Sequence, residues 1–444
     1  MPAGSLFATP PASPTSTNAE NKEGQPQAPG ITIISETGDL TLRVKAEDDQ
    51  EGFRYRVDSH RLQAASPYFE NLLSPRFSEG ATVTAQHERL RKQYKNLADA
   101  PVEELPQITI VDIGRISKVK TIELITADFL RVLHDQSLGK DSPPIPNIGN
   151  LAIVADRFDA LPTLSQYVHR RKYFQAIDAK TKLKGASNVP EERTRQKLMI
   201  GVMLDYAPWV RMYSKRLTLS GSTRWKAQGF EEPGALWWDI PAGIEEEIMH
   251  RRQCVLETIS SLQSYFLKLY TSGQRQCRLG YDSSAQCDVF QLGEMVRFFT
   301  KVGTLRLEST IFGADPPDDY EGDINRLLES LRQCPAYQID NNHSHCGLRT
   351  KLIPLLDMVQ SCISSSAEGS DIGICGDCWR NHRREYAWTE SKRPVLWTNS
   401  RFFISNSRMP PKGVHGRDGC LARHSGLRDM FTAAERDWTA KDAY

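Results

Sequence analysis

Near the start of the chain, apolar and polar residues alternate strictly in two short runs. Leu40, Leu42 and Val44 alternate with Thr41 and Arg43, and Phe53, Tyr55 and Val57 alternate with Arg54 and Arg56. A period of two puts every second side chain on one face, so each run predicts a strand with one buried face. Lys45 to Gly52 between them is charged and ends in Gly, which predicts a hairpin with a long loop. Ser59 is placed to cap a short helix carrying Leu62 and Ala65. Pro67 fits the first turn of a second helix carrying Tyr68, Phe69, Leu72 and Leu73. The stretch 79–106 has a charged centre, His87 to Lys95, and few apolar residues. It reads as an insertion, either a solvated helix or a loop. Ile108, Ile110 and Ile113 then supply a third strand.

Beyond that point the period changes to three and four. Ile122, Ile125, Phe129, Val132 and Leu133 predict one helix, which Asp135 to Pro146 breaks. Ile148, Leu151, Ala152, Ala155 and Phe158 predict another, and Leu161 to Val168 a third. The chain turns basic from His169 to Lys184, and 171–190 reads as a linker. Leu198, Val202 and Tyr206 open a second, mainly helical domain over 191–391, and Pro208 starts its next helix. A long helix follows Pro241 and the acidic run Glu245-Glu246-Glu247. Its apolar positions Ile244, Ile248, Val255, Ile259, Leu262, Phe266 and Leu269 mark a core spine, with a dimer seam as the alternative, and Gly273 stops it. Further helices are expected over Val289 to Thr300, Asp323 to Leu331, Leu348 to Ile363 and Asp377 to Trp388. Residues 1–30 read as a disordered tail, where Thr9-Pro10 and Ser13-Pro14 offer proline-directed phosphorylation sites. Residues 392–444 read as an irregular tail with a short amphipathic stretch around Leu427 to Trp438.

The order and spacing of Gly38-Asp39-Leu40, Val57-Asp58-Ser59, Leu62 and Ala65-Ser66-Pro67-Tyr68-Phe69 resemble the BTB/POZ domain, most of all its fungal form. Leu151-Ala152-Ile153-Val154-Ala155-Asp156 extends the resemblance, which covers 31–170 and is interrupted by the insertion. The resemblance implies an α+β chain: a BTB/POZ domain with a small three-stranded sheet, followed by the helical domain. It also implies a protein-interaction module in which Leu40, Val57, Leu62, Ser66, Tyr68, Phe69 and Leu72 are core or interface residues. Homodimerisation and capture of a cullin scaffold are what such domains commonly do, which would make the chain a ubiquitin-ligase substrate adaptor. Two departures stand out. Leu133 to Ile145 contains no Glu, where cullin-binding members carry a hydrophobic-x-Glu triplet, and Asp58 stands where animal members have His. The helical region resembles the uncharacterised C-terminal region that accompanies fungal BTB domains, a resemblance that implies no mechanism.

Composition narrows the function classes. The 444 residues carry a net charge of +1, so no overall charge draws the chain to nucleic acid or to an anionic membrane. No apolar run approaches the roughly 20 residues of a membrane span, and no signal-peptide pattern opens the sequence. An intracellular location, nucleus or cytoplasm, is the expectation. On that reading the nine cysteines, all from Cys254 onward, suggest metal ligands or buried thiols rather than disulfides.

The best chemical constellation is Cys375-Gly376-Asp377-Cys378, a Cys-x-x-Cys whose two thiolates can meet one ion. Cys334 and Cys346 complete a four-ligand structural zinc set, with His345 as the alternative to Cys334. Cys277 and Cys287 form a looser pair that would join instead. Packed thiols without metal and a redox Cys-x-x-Cys are the competing readings of the same residues. Arg380, His382, Arg383 and Arg384 interleave with Trp379, Tyr386 and Trp388, a mixture found in single-strand nucleic-acid grooves and also on a helix with one polar face. The sequence contains no phosphate-binding Gly loop, no Gly-x-Ser-x-Gly and no His-Glu-x-x-His. The expectation is therefore a non-enzymatic adaptor or scaffold. The alternative is a BTB-type transcriptional regulator touching DNA through the basic and Cys-rich regions.

Overall fold

The two alternating runs close into an antiparallel pair in the computed structural model, with Leu40 opposite Val57, Leu42 opposite Tyr55 and Val44 opposite Phe53. The structure describes residues 30–45, 52–118, 120–138, 143–183, 189–226, 235–305, 320–365, 371–398 and 418–439. Most of the expected tail over 1–30, both Thr/Ser-Pro motifs, most of the linker's Gly185 to Pro190 segment, and 399–417 lie outside the described residues.

The strands are β1 (Ile31–Ile33), β2 (Leu40–Val44), β3 (Phe53–Val57) and β4 (Gln107–Ile110), in sheet order β1-β3-β2-β4. The sheet thus has four strands where three were expected. β1 adds to the edge by pairing in parallel with β3, while β4 pairs in parallel with β2. Helices α1 (Ser59–Ala65) and α2 (Pro67–Leu72) follow the hairpin, with α3 (Ser78–Gln93) in the insertion. Helices α4 (Ile122–Leu133), α5 (Ile145–Arg157), α6 (Leu161–Arg170) and α7 (Tyr173–Leu183) complete the N-terminal part.

The residues behind the BTB resemblance act as a connected unit. Asp39 accepts from both the N–H and the hydroxyl of Ser59, at 2.8 and 2.7 Å, tying the entry to β2 to the start of α1. The α1 cap is Asp58, not Ser59. The Asp58 carboxylate accepts from Arg61 N–H, and Ser59 is already helical. Ser66 caps α2 through Phe69 N–H and donates at 2.6 Å to the carbonyl of Phe158, at the far end of α5. The Phe158 ring stacks on Phe69 and Phe129 at 5.4 and 5.5 Å between centroids. Leu40, Val57, Leu62, Ser66 and Phe69 are buried, and Tyr68 and Leu72 half-buried against them.

The insertion is a helix, and part of it packs. Arg56 lies on the face of β3 expected to meet solvent, yet it is buried, donating to the carbonyls of Gly38 and Ala98 at 2.9 and 2.7 Å. His87 on α3 sits 2.8 Å from the Asp39 carbonyl, and Val83 joins the main core.

The next helices are α8 (Glu191–Met203), α9 (Ala207–Ser220), α10 (Ile244–Thr271), α11 (Ser284–Val302), α12 (Ile324–Arg332) and α13 (Leu348–Ser364). The expected helix over Asp377 to Trp388 is two short ones, α14 (Gly376–Asn381) and α15 (Arg383–Tyr386). The expected amphipathic stretch around Leu427 to Trp438 is divided: its first residues end a helix that begins earlier, Asp418–Thr432, and the rest holds strand β6 (Glu435–Asp437), paired in parallel with β5 (Leu396–Thr398), so this part of the chain is more regular than the irregular tail expected. One apolar core runs from the sheet through α4 to α6 and on into α8, α9 and the first turns of α10, and takes in Ile374, Cys378, Trp379 and Tyr386. A second core surrounds the rest of α10 with α11, α12, α13, the last helix, Trp397 and Trp438. α10 faces inward along its length, at Ile244 and Ile248 in the first core and at Val255, Ile259, Leu262 and Phe266 in the second. Among the described residues, no helix is long and apolar enough to cross a membrane.

Candidate metal centres

All nine cysteines are free thiols, and six of them gather with two histidines into two sets of four. Each set joins segments far apart in the chain. One is Cys277, Cys287, His343 and Cys346, and the other is Cys375, Cys378, Cys420 and His424.

The first set lies where α10 turns into α11 and where α12 connects to α13. Cys277 is in the loop after α10, and its N–H donates at 2.9 Å to the carboxylate of Asp288, beside Cys287 in the opening turns of α11. His343 ends a short turn that Asp340 caps, and Cys346 immediately precedes Gly347 and α13. Gly347 is required there, because a Cβ would come within 2.8 Å of the Tyr337 carbonyl. The Sγ atoms of Cys346 and Cys277 are 3.6 Å apart, and they lie 3.7 and 3.5 Å from His343 Nδ1.

The second set hangs on a clamp made by α10. Arg251, buried on that helix, donates to the carbonyls of Ile372 and Gly373, just before Cys375. Glu247, one turn earlier, pairs with Arg251 at 2.7 Å and accepts the N–H groups of Trp388 and Thr389, beyond Cys378. The Tyr386 hydroxyl accepts from Cys375 N–H at 2.7 Å. Both flanks of the Cys-x-x-Cys are therefore held by one helix. Cys420 and His424 come from the last helix, four residues apart and so on one face. Cys420 Sγ is 3.9 Å from Cys375 Sγ, 3.5 Å from Cys378 Sγ and 3.6 Å from His424 Nε2.

These spacings fit a tetrahedral ion. With metal–sulfur bonds of about 2.3 Å and metal–nitrogen bonds of about 2.0–2.1 Å, a tetrahedron places sulfurs about 3.8 Å apart and nitrogen about 3.5 Å from sulfur. Charge points the same way. A bond from the Cys378 thiol, opposed by burial and aided by His424, holds the Cys375 thiol well below its usual value, while Cys375 and burial push Cys378 upward. In the first set burial raises all three thiols. The Ser284 hydroxyl and the Leu279 N–H, with Cys346 and His343, nevertheless bring Cys277 down to about 7, whereas Cys287 stays up at about 12. Each set accommodates one thiolate readily and resists a second. A bound dication would remove that resistance.

The sequence-derived set of Cys334, Cys346, Cys375 and Cys378 does not meet at one point. Cys375 and Cys378 are together, but Cys346 belongs to the other group. Cys334 is in neither, being buried in the second core with its thiol toward the Pro335 carbonyl at 3.7 Å. His345 is exposed, and its neighbour two residues back, His343, takes the inward position. Cys420 and His424 were missed; the Cys-x-x-x-His spacing was the available signal, and it lies just ahead of the stretch that reads as amphipathic.

The aromatic and basic residues around the second set are committed internally. Trp379, Tyr386 and Trp388 are buried. Arg383 lies over Trp379 and pairs with Glu390, and Arg380 pairs with Asp205 and Asp377. No exposed stacking platform of the kind single-stranded nucleic acid uses is formed by these three rings. In comparisons with known proteins, no family model, curated protein or solved structure matches the chain.

Proposed function

We propose that the chain is a non-enzymatic interaction adaptor or scaffold, in which a BTB/POZ-type module is joined to a helical region that structural zinc holds together at Cys375, Cys378, Cys420 and His424. The observation that carries the first half is the linked use of the motif residues. Asp39 binds Ser59, Asp58 caps α1, and Ser66 caps α2 while reaching Phe158. The motif is thus a packing device, and it supports the protein-interaction reading that the resemblance implies.

The zinc reading rests on ligand type and number. Three sulfurs and one imidazole nitrogen complete a tetrahedron without a free position for water or substrate, the pattern of structural rather than catalytic sites. Zinc at these four residues would tie the last helix to the clamped segment before it. On this reading the helical region captures a protein target, the BTB-type module dimerises or docks on a cullin, and neither nucleic acid nor membrane is a partner.

Affinity capture of the full-length chain from a fungal host, read by mass spectrometry, tests the reading. A cullin and its ring-finger partner in the eluate would support the ligase-adaptor form, and other stable protein complexes the scaffold form. Recovery of chromatin together with salt-sensitive DNA binding by the purified chain would overturn both in favour of a transcriptional regulator.

A further inference from the structure

We propose that Cys277, Cys287, His343 and Cys346 form a second, independent structural zinc site, bound through three thiolates and His343 Nδ1. The geometric argument for a tetrahedral ion applies here as it does around Cys375: the separations of 3.5, 3.6 and 3.7 Å among Cys277, Cys346 and His343 match those a four-coordinate zinc imposes, and Cys287 Sγ lies within 4.8 Å of the other three ligand atoms. A second observation fixes which nitrogen faces the ion. His343 Nε2 is 3.0 Å from the Ser283 hydroxyl and 3.9 Å from the Asp340 carboxylate. His343 is fully buried, so its ring is held from the far side and Nδ1 is left to the sulfurs. Metal-bound imidazoles are characteristically oriented in this way by a hydroxyl or carboxylate on the other nitrogen.

The four ligands come as two distant pairs, Cys277 with Cys287 and His343 with Cys346, so the ion would join the α10–α11 turn to the α12–α13 connection. The surroundings suit the charge. Three thiolates and a dication leave one net negative charge. The half-buried Lys351 ammonium reaches the Tyr270 hydroxyl at 3.2 Å, and that hydroxyl lies 3.3 Å from the Cys346 carbonyl. This site does not depend on the adaptor reading. A failed partner capture would leave it intact, and a failed metal count would leave the adaptor reading intact.

The test is zinc per chain, measured by native mass spectrometry on the full-length protein prepared with zinc. Two zinc ions are expected. Cys277→Ser and His343→Ala should each lose one, Cys378→Ser should lose one, and the Cys277→Ser/Cys378→Ser pair should lose both. His343→Cys, which keeps a ligand, should retain two. Cys334→Ser should also retain two, since Cys334 lies in neither set. A wild type without zinc, or an unchanged count in both Cys277→Ser and His343→Ala, would overturn the proposal. Should those variants not fold, cobalt(II) titration of the wild-type chain decides. Thiolate–cobalt absorbance rising through two equivalents supports the site, and a break at one equivalent overturns it.

Discussion

At the scale of single residues, burial and spacing decide which thiols can share an ion. Cys375 and Cys378 announce themselves because two intervening residues put both sulfurs within reach of one point. Their partners Cys420 and His424 lie more than forty positions on, with |i−j| = 42 between Cys378 and Cys420, and no local rule links the two pairs. Cys334 illustrates the opposite error. Its place in the sequence suggested a ligand, but burial among apolar side chains raises its thiol to about 11 and makes it a small core residue.

His134 offers a sharper residue-level prediction. Asp58 N–H donates to Nε2 at 3.0 Å, and Nδ1 lies 2.8 Å from the Leu130 carbonyl, so the neutral tautomer with hydrogen on Nδ1 is built in. Burial lowers its pKa below the usual 6.5, and the unfolded chain therefore takes up this proton first as pH falls. The stability His134 contributes is complete above about pH 6.5 and declines below it. Thermal melts at pH 7.5 and pH 5 should show a larger loss for the wild type than for His134→Gln. Equal losses would remove His134 as an acid-sensitive contact.

At the scale of elements, the strands and most helices were readable because each shows one apolar face at period two or at three to four. The exceptions have physical causes. α8 buries Thr194, Arg195, Gln196 and Lys197 alongside its apolar residues, so it has no clean stripe. Arg195 is satisfied there by Glu191 and Glu245, and Lys197 by the Tyr213 hydroxyl at 2.7 Å. Two element-level predictions follow from caps and clamps. Ser66→Ala removes the α2 cap and leaves the buried Phe158 carbonyl without its donor, a loss of about 1–3 kcal/mol in denaturant unfolding. A change below about 0.5 kcal/mol would mean water replaces both bonds. Glu247→Ala leaves the buried Arg251 without its counter-charge and frees Trp388 and Thr389. It should cost about 3–5 kcal/mol, and the Glu247→Leu/Arg251→Met pair clearly less. Equal costs for the single and double variants would show that lost backbone contacts, not the stranded charge, set the penalty.

For the whole molecule, the α+β order of a small sheet followed by helices was readable from the change of period. The extent of the cores was not. A basic stretch and the Gly185 to Pro190 segment suggested that the first unit ends near residue 170, yet the same core continues into Leu198, Met199, Ile200 and Trp209 and returns at Ile374. Continuity of this kind depends on which helix meets which, and α8 meeting α5 leaves no mark in local pattern. Both Cys/His sets join segments far apart in the chain. The central claim is that metal at these sets holds the C-terminal region together, while the N-terminal sheet stands on its own packing. Amide hydrogen exchange of the full-length chain before and after chelation tests this most directly. Protection should fall at 276–287, 341–348, 371–389 and 418–432 on chelation and recover with zinc, while Leu40–Val44 and Phe53–Val57 stay protected. Unchanged exchange in those segments, or loss of the strands in step with them, would contradict the account.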